Sequence, residues 1–136
     1  MKDICQAIYA YLNENEQIKK RVGNKIFPIM LPEDAPLPAI VYSPVLANYD
    51  SALQGDTGFV RQTMQFVCHD RTFKKARELS RMVKRAFQDF HGNMCGMEIQ
   101  AVFIKADYEY NGNTALKFNT EEYLSSIEFE FYYNEK

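Results

Sequence analysis

Residues 71–90 of this 136-residue chain read RTFKKARELSRMVKRAFQDF, and this stretch decides the fold. Placed at about 100° per residue, its apolar side chains fill one arc of roughly 140°. They are Phe73, Ala76, Leu79, Val83, Ala86, Phe87 and Phe90. Asp70 is the expected cap, and Gly92 lies just past the expected end. The spacing predicts a helix over residues 71–90 that packs against a core, mainly through Phe73, Val83 and Phe87.

All seven basic residues of this helix fall outside the apolar arc: Arg71, Lys74, Lys75, Arg77, Arg81, Lys84 and Arg85. With Glu78 and Asp89 they give residues 71–90 a charge of +5, so the rest of the chain, with 9 basic and 16 acidic residues, carries −7. Three interpretations stay open, in this order: a solvated or protein-contacting face, a specific acidic partner surface, and nucleic acid. Nucleic acid comes last because the acidic remainder would repel phosphates. We expect Arg71, Lys74, Arg77, Arg81, Lys84 and Arg85 to contact another subunit or a partner.

The segments before this helix predict a first helix and three strands. Apolar residues at i, i+3 and i+4 spacing follow the capping residue Asp3 and predict the helix. Residues 13–15 can interrupt it before it continues to Val22, and Gly23 is the expected stop. The predicted strands cover residues 25–30, 39–43 and 59–68. Pro44 places the end of the second strand at a sheet edge or outside the ladder.

Two polar segments predict long loops. Residues 47–58 hold two glycines and two aspartates. Residues 111–119 connect two predicted long strands, 99–110 and 123–133, and are too many for a tight hairpin. Long loops in a compact fold are often functional. We expect these loops to face a partner or the lumen of a ring of subunits. The residues expected there are Asn48, Tyr49, Asp50, Gln54, Asp56, Asn111 and Asn113.

Together the elements give the order αβββαββ. This order predicts an α+β fold with an antiparallel or mixed sheet and helices packed on one face. The length suits a single domain over residues 1–136. Cys5, Cys68 and Cys95 form no disulfide pattern, so a reducing compartment such as the cytoplasm is expected. No apolar run approaches the roughly 20 residues of a membrane span, so no membrane contact is expected.

Cys68, His69 and Asp70 are nucleophile, base and acid types in a row. Neighbouring residues of a strand point to opposite faces, so they cannot form a relay among themselves. A buried Cys68, a solvated His69 and a capping Asp70 are expected instead.

Two further groups have simple interpretations. His91 and Cys95 could bind zinc together with the residues at 68 and 69, but a predicted helix of about 30 Å separates the two pairs. Glu128 and Glu130 could act as an acid and a base, yet they fit the polar face of an amphipathic strand better. We therefore expect no catalytic residues, no metal and no cofactor.

The order and spacing of segments resemble those of the tail completion proteins, also called head-to-tail joining or tail terminator proteins, of long-tailed bacteriophages and prophages. The similarity spans most of the chain, although Ala39 and the 47–58 loop depart from the pattern. It is carried by the helix ending at Leu12, Val22-Gly23-Asn24-Lys25-Ile26-Phe27, the proline-rich connector with Leu37-Pro38-Ala39-Ile40-Val41-Tyr42, the strand 61–67, and the helix with Ala76, Leu79 and Val83.

The resemblance implies a structural protein that is not an enzyme and has no catalytic residues. It would close the head-proximal end of the tail tube as a ring, expected to be a hexamer, and dock it to the head connector. The implied partners are further copies of the chain, the tail tube protein and head connector proteins, without specific nucleic-acid binding. Its place would be the host cytoplasm during assembly and then the virion.

The competing interpretation is a small prophage-encoded enzyme or immunity protein on a similar α+β scaffold. An enzyme should have a pocket with converging polar groups. A ring subunit should instead have flat complementary faces.

Overall fold

A computed structural model describes residues 3–111 and 122–135 of the chain. The elements in these residues are the helices α1 (Ile4–Glu14), α2 (Glu16–Val22) and α3 (Phe73–Phe87), and the strands β1 (Ile26–Pro28), β2 (Ala39–Ala52), β3 (Gly55–Asp70), β4 (Gly92–Met94), β5 (Met97–Asn111) and β6 (Tyr123–Asn134). The strands form one curled sheet in the order β1-β2-β3-β6-β5-β4. Only β1 and β2 pair in parallel among these strands. The fold is therefore α+β with a mixed sheet. The predicted order αβββαββ omits α2 as a separate helix and the short strand β4.

Local capping residues set the ends of the first two helices. Asp3 caps α1 in a capping box, with its side chain accepting from the Cys5 N–H and Gln6 reaching back to the Asp3 N–H. Asn15 ends α1 and caps α2, because its side chain accepts the Ile18 N–H at 3.0 Å. Gly23, at φ 62°, ends α2, and its N–H donates to the carbonyl of Lys19. The predicted first cap, interruption and stop are confirmed.

Helix α3 is shorter than predicted at both ends. Asp70 does not cap it, because Asp70 is still paired with Tyr123 as the last residue of β3. Thr72 is the cap instead, and its hydroxyl accepts the Lys75 N–H at 3.1 Å. The helix ends at Phe87 with Gln88 as its C-cap, three residues before the predicted end.

The core lies between α3 and the central strands β3 and β6. Phe87 is fully buried, and its ring centroid lies 5.0 Å from that of Phe66 and 5.5 Å from that of Phe131. Val83 is also fully buried, as predicted, but Phe73 is 52% exposed. A helical Cα–Cβ bond tilts toward the N-terminus, so the side chain of this first-turn residue projects past the helix end. The prediction that Phe73 packs in the core is wrong.

The prediction of a loop over residues 47–58 is also wrong, because most of these residues lie in strands. Strands β2 and β3 form one long hairpin whose last pair is Ala52 with Gly55, and only Leu53 and Gln54 connect them. Pro44 does not end β2, because the pairing with β3 continues past it through a bulge between Pro44 and Leu46. We call residues 49–57 the arm. The pairing of β3 with β6 begins at Phe59 and Asn134, so the arm extends beyond the end of β6.

The two long C-terminal strands agree with prediction to within two residues at each end. Strand β5 ends at Asn111 and β6 begins at Tyr123. The rest of the predicted loop 111–119, including Asn113, lies outside the described residues. Among the helices of the described part of the chain, none has the length and apolarity needed to cross a membrane.

Candidate interaction surfaces

The outward side of α3 forms a groove of about 660 Å³. We call it the α3 groove. Phe73 and Met82 give it an apolar floor, and its charged lining is Arg21, Lys74, Arg77, Glu78, Arg81 and Arg85. Four of the six basic residues predicted to make contacts therefore line one groove. Arg71 and Lys84 are not among its lining residues.

Much of the basic charge of the α3 groove is paired within the subunit. Arg77 contacts Glu109 at 2.6 Å, and Arg81 contacts Asp107 at 2.9 Å. The hydrogen bond from Arg81 holds the pKa of the Asp107 carboxyl below its usual value. Asp107 and Glu109 are two residues apart on a strand and so face the same side, and Arg77 and Arg81 are four residues apart on a helix and so share one face. This correspondence is a signal the sequence analysis did not use.

The remaining cations of the groove differ in their partners. Arg21 lies 3.5 Å from Asp70 and 3.7 Å from Glu78. Lys74 and Arg85 form no ion pair with any described residue. An incoming carboxylate would therefore meet, beside an apolar floor, two cations that have no ion pair within the described part of the chain.

The arm carries most of the predicted loop residues at different positions of a hairpin. Asn48, Tyr49 and Asp50 lie in β2, Gln54 lies in the connection, and Asp56 lies in β3. Leu53 at the tip is fully exposed, and Tyr49 is 65% exposed. Thr57 donates its hydroxyl to the Asp50 carboxylate at 3.0 Å, which ties the two strands together. Residues 47–60 contain two aspartates and no basic residue, so the arm is acidic.

A second acidic surface is a pocket of about 380 Å³ where β5 begins and β6 ends. Among the described residues, its charged lining is Asp3, Glu98 and Glu135. Tyr133 also lines it, and burial together with the nearby Glu135 charge raises the pKa of this tyrosine to about 12. Among the described residues, the α3 groove is therefore basic, whereas the arm and this pocket are acidic.

The structure separates Cys68 from His69. Cys68 is fully buried in the hydrophobic core, and burial raises the pKa of its thiol. His69 is only 5% exposed, which corrects the prediction of a solvated side chain, because Glu122 covers it with a carboxylate oxygen 2.5 Å from Nδ1. Asp70 accepts the Arg71 N–H at 2.7 Å. Nucleophile and base types lie on opposite sides of the strand.

The other predicted chemical groups are engaged in local contacts. Glu130 accepts a hydrogen bond from the Tyr132 hydroxyl at 2.6 Å, and Glu128 accepts one from Tyr108 at 3.4 Å. Cys95 donates to Glu14 at 3.1 Å. Within residues 3–111 and 122–135, no three metal-ligating side chains cluster closely enough to hold an ion.

Comparison with known proteins identifies the family of the chain. The tail completion protein gp17 family matches residues 6–115, which is most of the chain. No relative is found among the curated proteins. Among solved structures, 19 chains match. One of them is a chain of the "Virion of native gene transfer agent (GTA) particle", with a TM-score of 0.77 and 10% identity over 96% of this chain and 94% of that one.

The chain is therefore a structural protein of a phage or prophage tail. It belongs to the tail completion protein gp17 family.

Proposed function

We propose that the chain is the subunit of a ring that closes the head-proximal end of a phage tail tube and joins it to the head connector. Family membership supports a role in completing the tail. The observation that supports the ring is the presence of a basic groove and acidic surfaces on different parts of one chain. A subunit of this kind can present its groove to one neighbour and an acidic surface to the other.

Such a contact is heterologous, because the two subunits contribute different surfaces. Repeating it produces a ring if the rotation between copies closes, and an open filament if it does not. We propose closure with six copies. Complementary charges at the contact would fix the orientation of the subunits more than they would add affinity.

The proposed role is structural and not enzymatic. The α3 groove has an apolar floor, and three of its guanidinium groups already hold carboxylates of the same subunit. Neighbours along the tail axis would be the tail tube protein on one side and head connector proteins on the other. Assembly would take place in the host cytoplasm, and the ring would then remain at the head–tail interface of the virion.

Deletion of the gene from the source phage tests this function. We expect filled heads and separate tails, some of abnormal length, with infectivity restored by supplying the chain from a plasmid. Electron microscopy of lysates measures both particle types. Normal virions from the deletion strain would end the proposal.

Charge reversal tests the contact separately. Lys74→Glu with Arg85→Glu should reproduce the deletion defect in a folded protein, because these two cations lack partners in the described residues. Lys19→Glu with Lys20→Glu is the matched control, since both lysines are exposed on α2 and neither lines the groove. Equal defects from the two double variants would point to lost net charge and not to a groove contact.

A further inference from the structure

We propose that the arm of one copy docks in the α3 groove of the next copy, with Leu53 on the floor formed by Phe73 and Met82. The inference rests on the proposed ring and names the segment that makes its contact. In this arrangement the Asp50 carboxylate faces Lys74 and Arg85.

The arm has the properties of a segment that is covered by a partner. Leu53 is fully exposed at the tip of the arm, so no described residue of its own subunit covers it. Burial of this side chain against a partner would be favourable, because it removes apolar surface from water. An acidic hairpin with an apolar tip needs a receptor that is apolar at its centre and basic around it.

The α3 groove has this combination. Phe73 is 52% exposed and lies on the groove floor with Met82. The groove holds about 660 Å³, which is room for several side chains at the tip of a hairpin. The acidic pocket of Asp3, Glu98 and Glu135 is a poor receptor for the arm because like charges would face each other.

The arm cannot reach the groove of its own subunit. Phe87, at the C-terminal end of α3, makes an edge-to-face contact with Phe131, which pairs with Gln62 of β3. From Gln62 the hairpin runs on to Leu53, a distance of roughly 30 Å at about 3.3 Å per residue. Because the arm points away from α3 along the sheet, the groove that receives it belongs to another molecule. The contact is then heterologous, as a ring requires.

Disulfide trapping in assembled tails tests the docking. The double variant Leu53→Cys/Phe73→Cys is supplied to the deletion strain, and tails are isolated, oxidised and run on a non-reducing denaturing gel. We expect a ladder of covalent multiples of the chain. The single variants and the unmodified chain, which contains the half-buried Cys5 and Cys95, should remain monomeric. The control Leu53→Cys/Glu98→Cys, which places the second thiol at the acidic pocket, should give no ladder.

Several results would overturn the inference. Tails that contain the double variant in normal amounts but give no ladder would do so and leave the proposed function intact. A ladder only with Glu98→Cys would place the arm in the acidic pocket. Capture of another tail protein by the Leu53→Cys single variant would assign the arm to a different partner. Normal virions from the deletion strain would instead remove the proposed function itself.

Exchanging charges between the arm and the α3 groove tests the docking if the cysteine variants do not enter tails. Asp50→Lys should lower the plaque titre by at least about tenfold, because it would place like charges together in the groove. Adding Lys74→Asp or Arg85→Asp to the same chain should restore the titre. Failure of both second changes to restore it would contradict the docking.

Discussion

The arm of the β2–β3 hairpin and the rest of that hairpin, residues 39–48 and 58–70, which we call the base, share one backbone ladder but differ in burial. In the base, Ile40 of β2 and Phe66 of β3 are fully buried. In the arm, Tyr49 and Leu53 are largely exposed, although the two strands of the arm are also paired antiparallel. Hydrogen-bond pairing therefore does not by itself provide apolar burial. The base stabilises the fold, and the arm is available for contacts with other molecules.

This difference also explains how an exposed arm can be ordered. An isolated two-stranded hairpin is only marginally stable in water. Here the arm continues two strands whose other edges pair with β1 and β6, so its strands are already aligned where it begins. Substitutions in the arm should therefore affect assembly without unfolding the chain.

The largest expected contrast compares an aromatic residue in each region. Phe66→Ala should lower the free energy of unfolding by about 3–5 kcal/mol, because it leaves a cavity against Phe87 and Phe129. Tyr49→Ala in the arm should change it by no more than about 0.5 kcal/mol. Chemical denaturation measures both values. A comparable loss from the two substitutions would show that the arm contributes to folding as the base does.

The next comparison concerns the bulge of β2 between Pro44 and Leu46, which Gln62 contacts. The Gln62 amide donates to the carbonyls of Leu46 and Thr63 at 3.1 and 3.0 Å. Gln62→Ala should cost about 1–3 kcal/mol, because the buried hydrogen bond to the Thr63 carbonyl is lost together with the bond to the bulge. The control is Gln65→Ala: Gln65 is half-buried and bonds the exposed Tyr108 hydroxyl, which water can replace. If the control costs as much, the bulge is not what Gln62 stabilises.

The same comparison shows what the sequence could predict. The ends of α1 and α2 follow from Asp3, Asn15 and Gly23, because capping depends on residues within one turn. The arm was predicted as a loop because its aspartates and glycines break the alternation expected of a half-buried strand. A strand exposed on both faces has no such alternation. The local sequence signal for a hairpin was Gly55, which directly follows the two connecting residues Leu53 and Gln54.

The surfaces needed information that spacing alone does not provide. The basic side of α3 was predicted, but the pairing of Arg77 and Arg81 with β5 depends on which strand lies beside the helix. The burial of His69 depends on Glu122, 53 residues away. Such long-range neighbours follow from the sheet order, which the sequence analysis left unspecified.

A smaller effect should appear at high pH where the base meets the arm. Tyr133 pairs with Val60, and its pKa is raised to about 12 mainly by burial. A raised folded-state pKa contributes stability below the unfolded value of about 10 that is lost as the pH rises toward 12. Tyr133→Phe should make the decline in stability over this window less steep. An unchanged slope in denaturation from pH 10 to 12 would contradict the assignment.

The smallest expected effect concerns the hydrogen bonds inside the arm. Thr57→Val removes the hydroxyl that donates to Asp50 and accepts the Phe59 N–H at 3.3 Å, while it keeps the size and branching of the side chain. Because these groups are exposed and water can replace the lost bonds, stability should change by no more than about 0.5 kcal/mol. Local opening of the arm should still become easier, so hydrogen exchange at the Phe59 amide, which borders the arm, should accelerate while that at Phe66 deep in the base stays unchanged. Equal acceleration at both amides would mean that base and arm open as one unit, and the distinction between them would then fail.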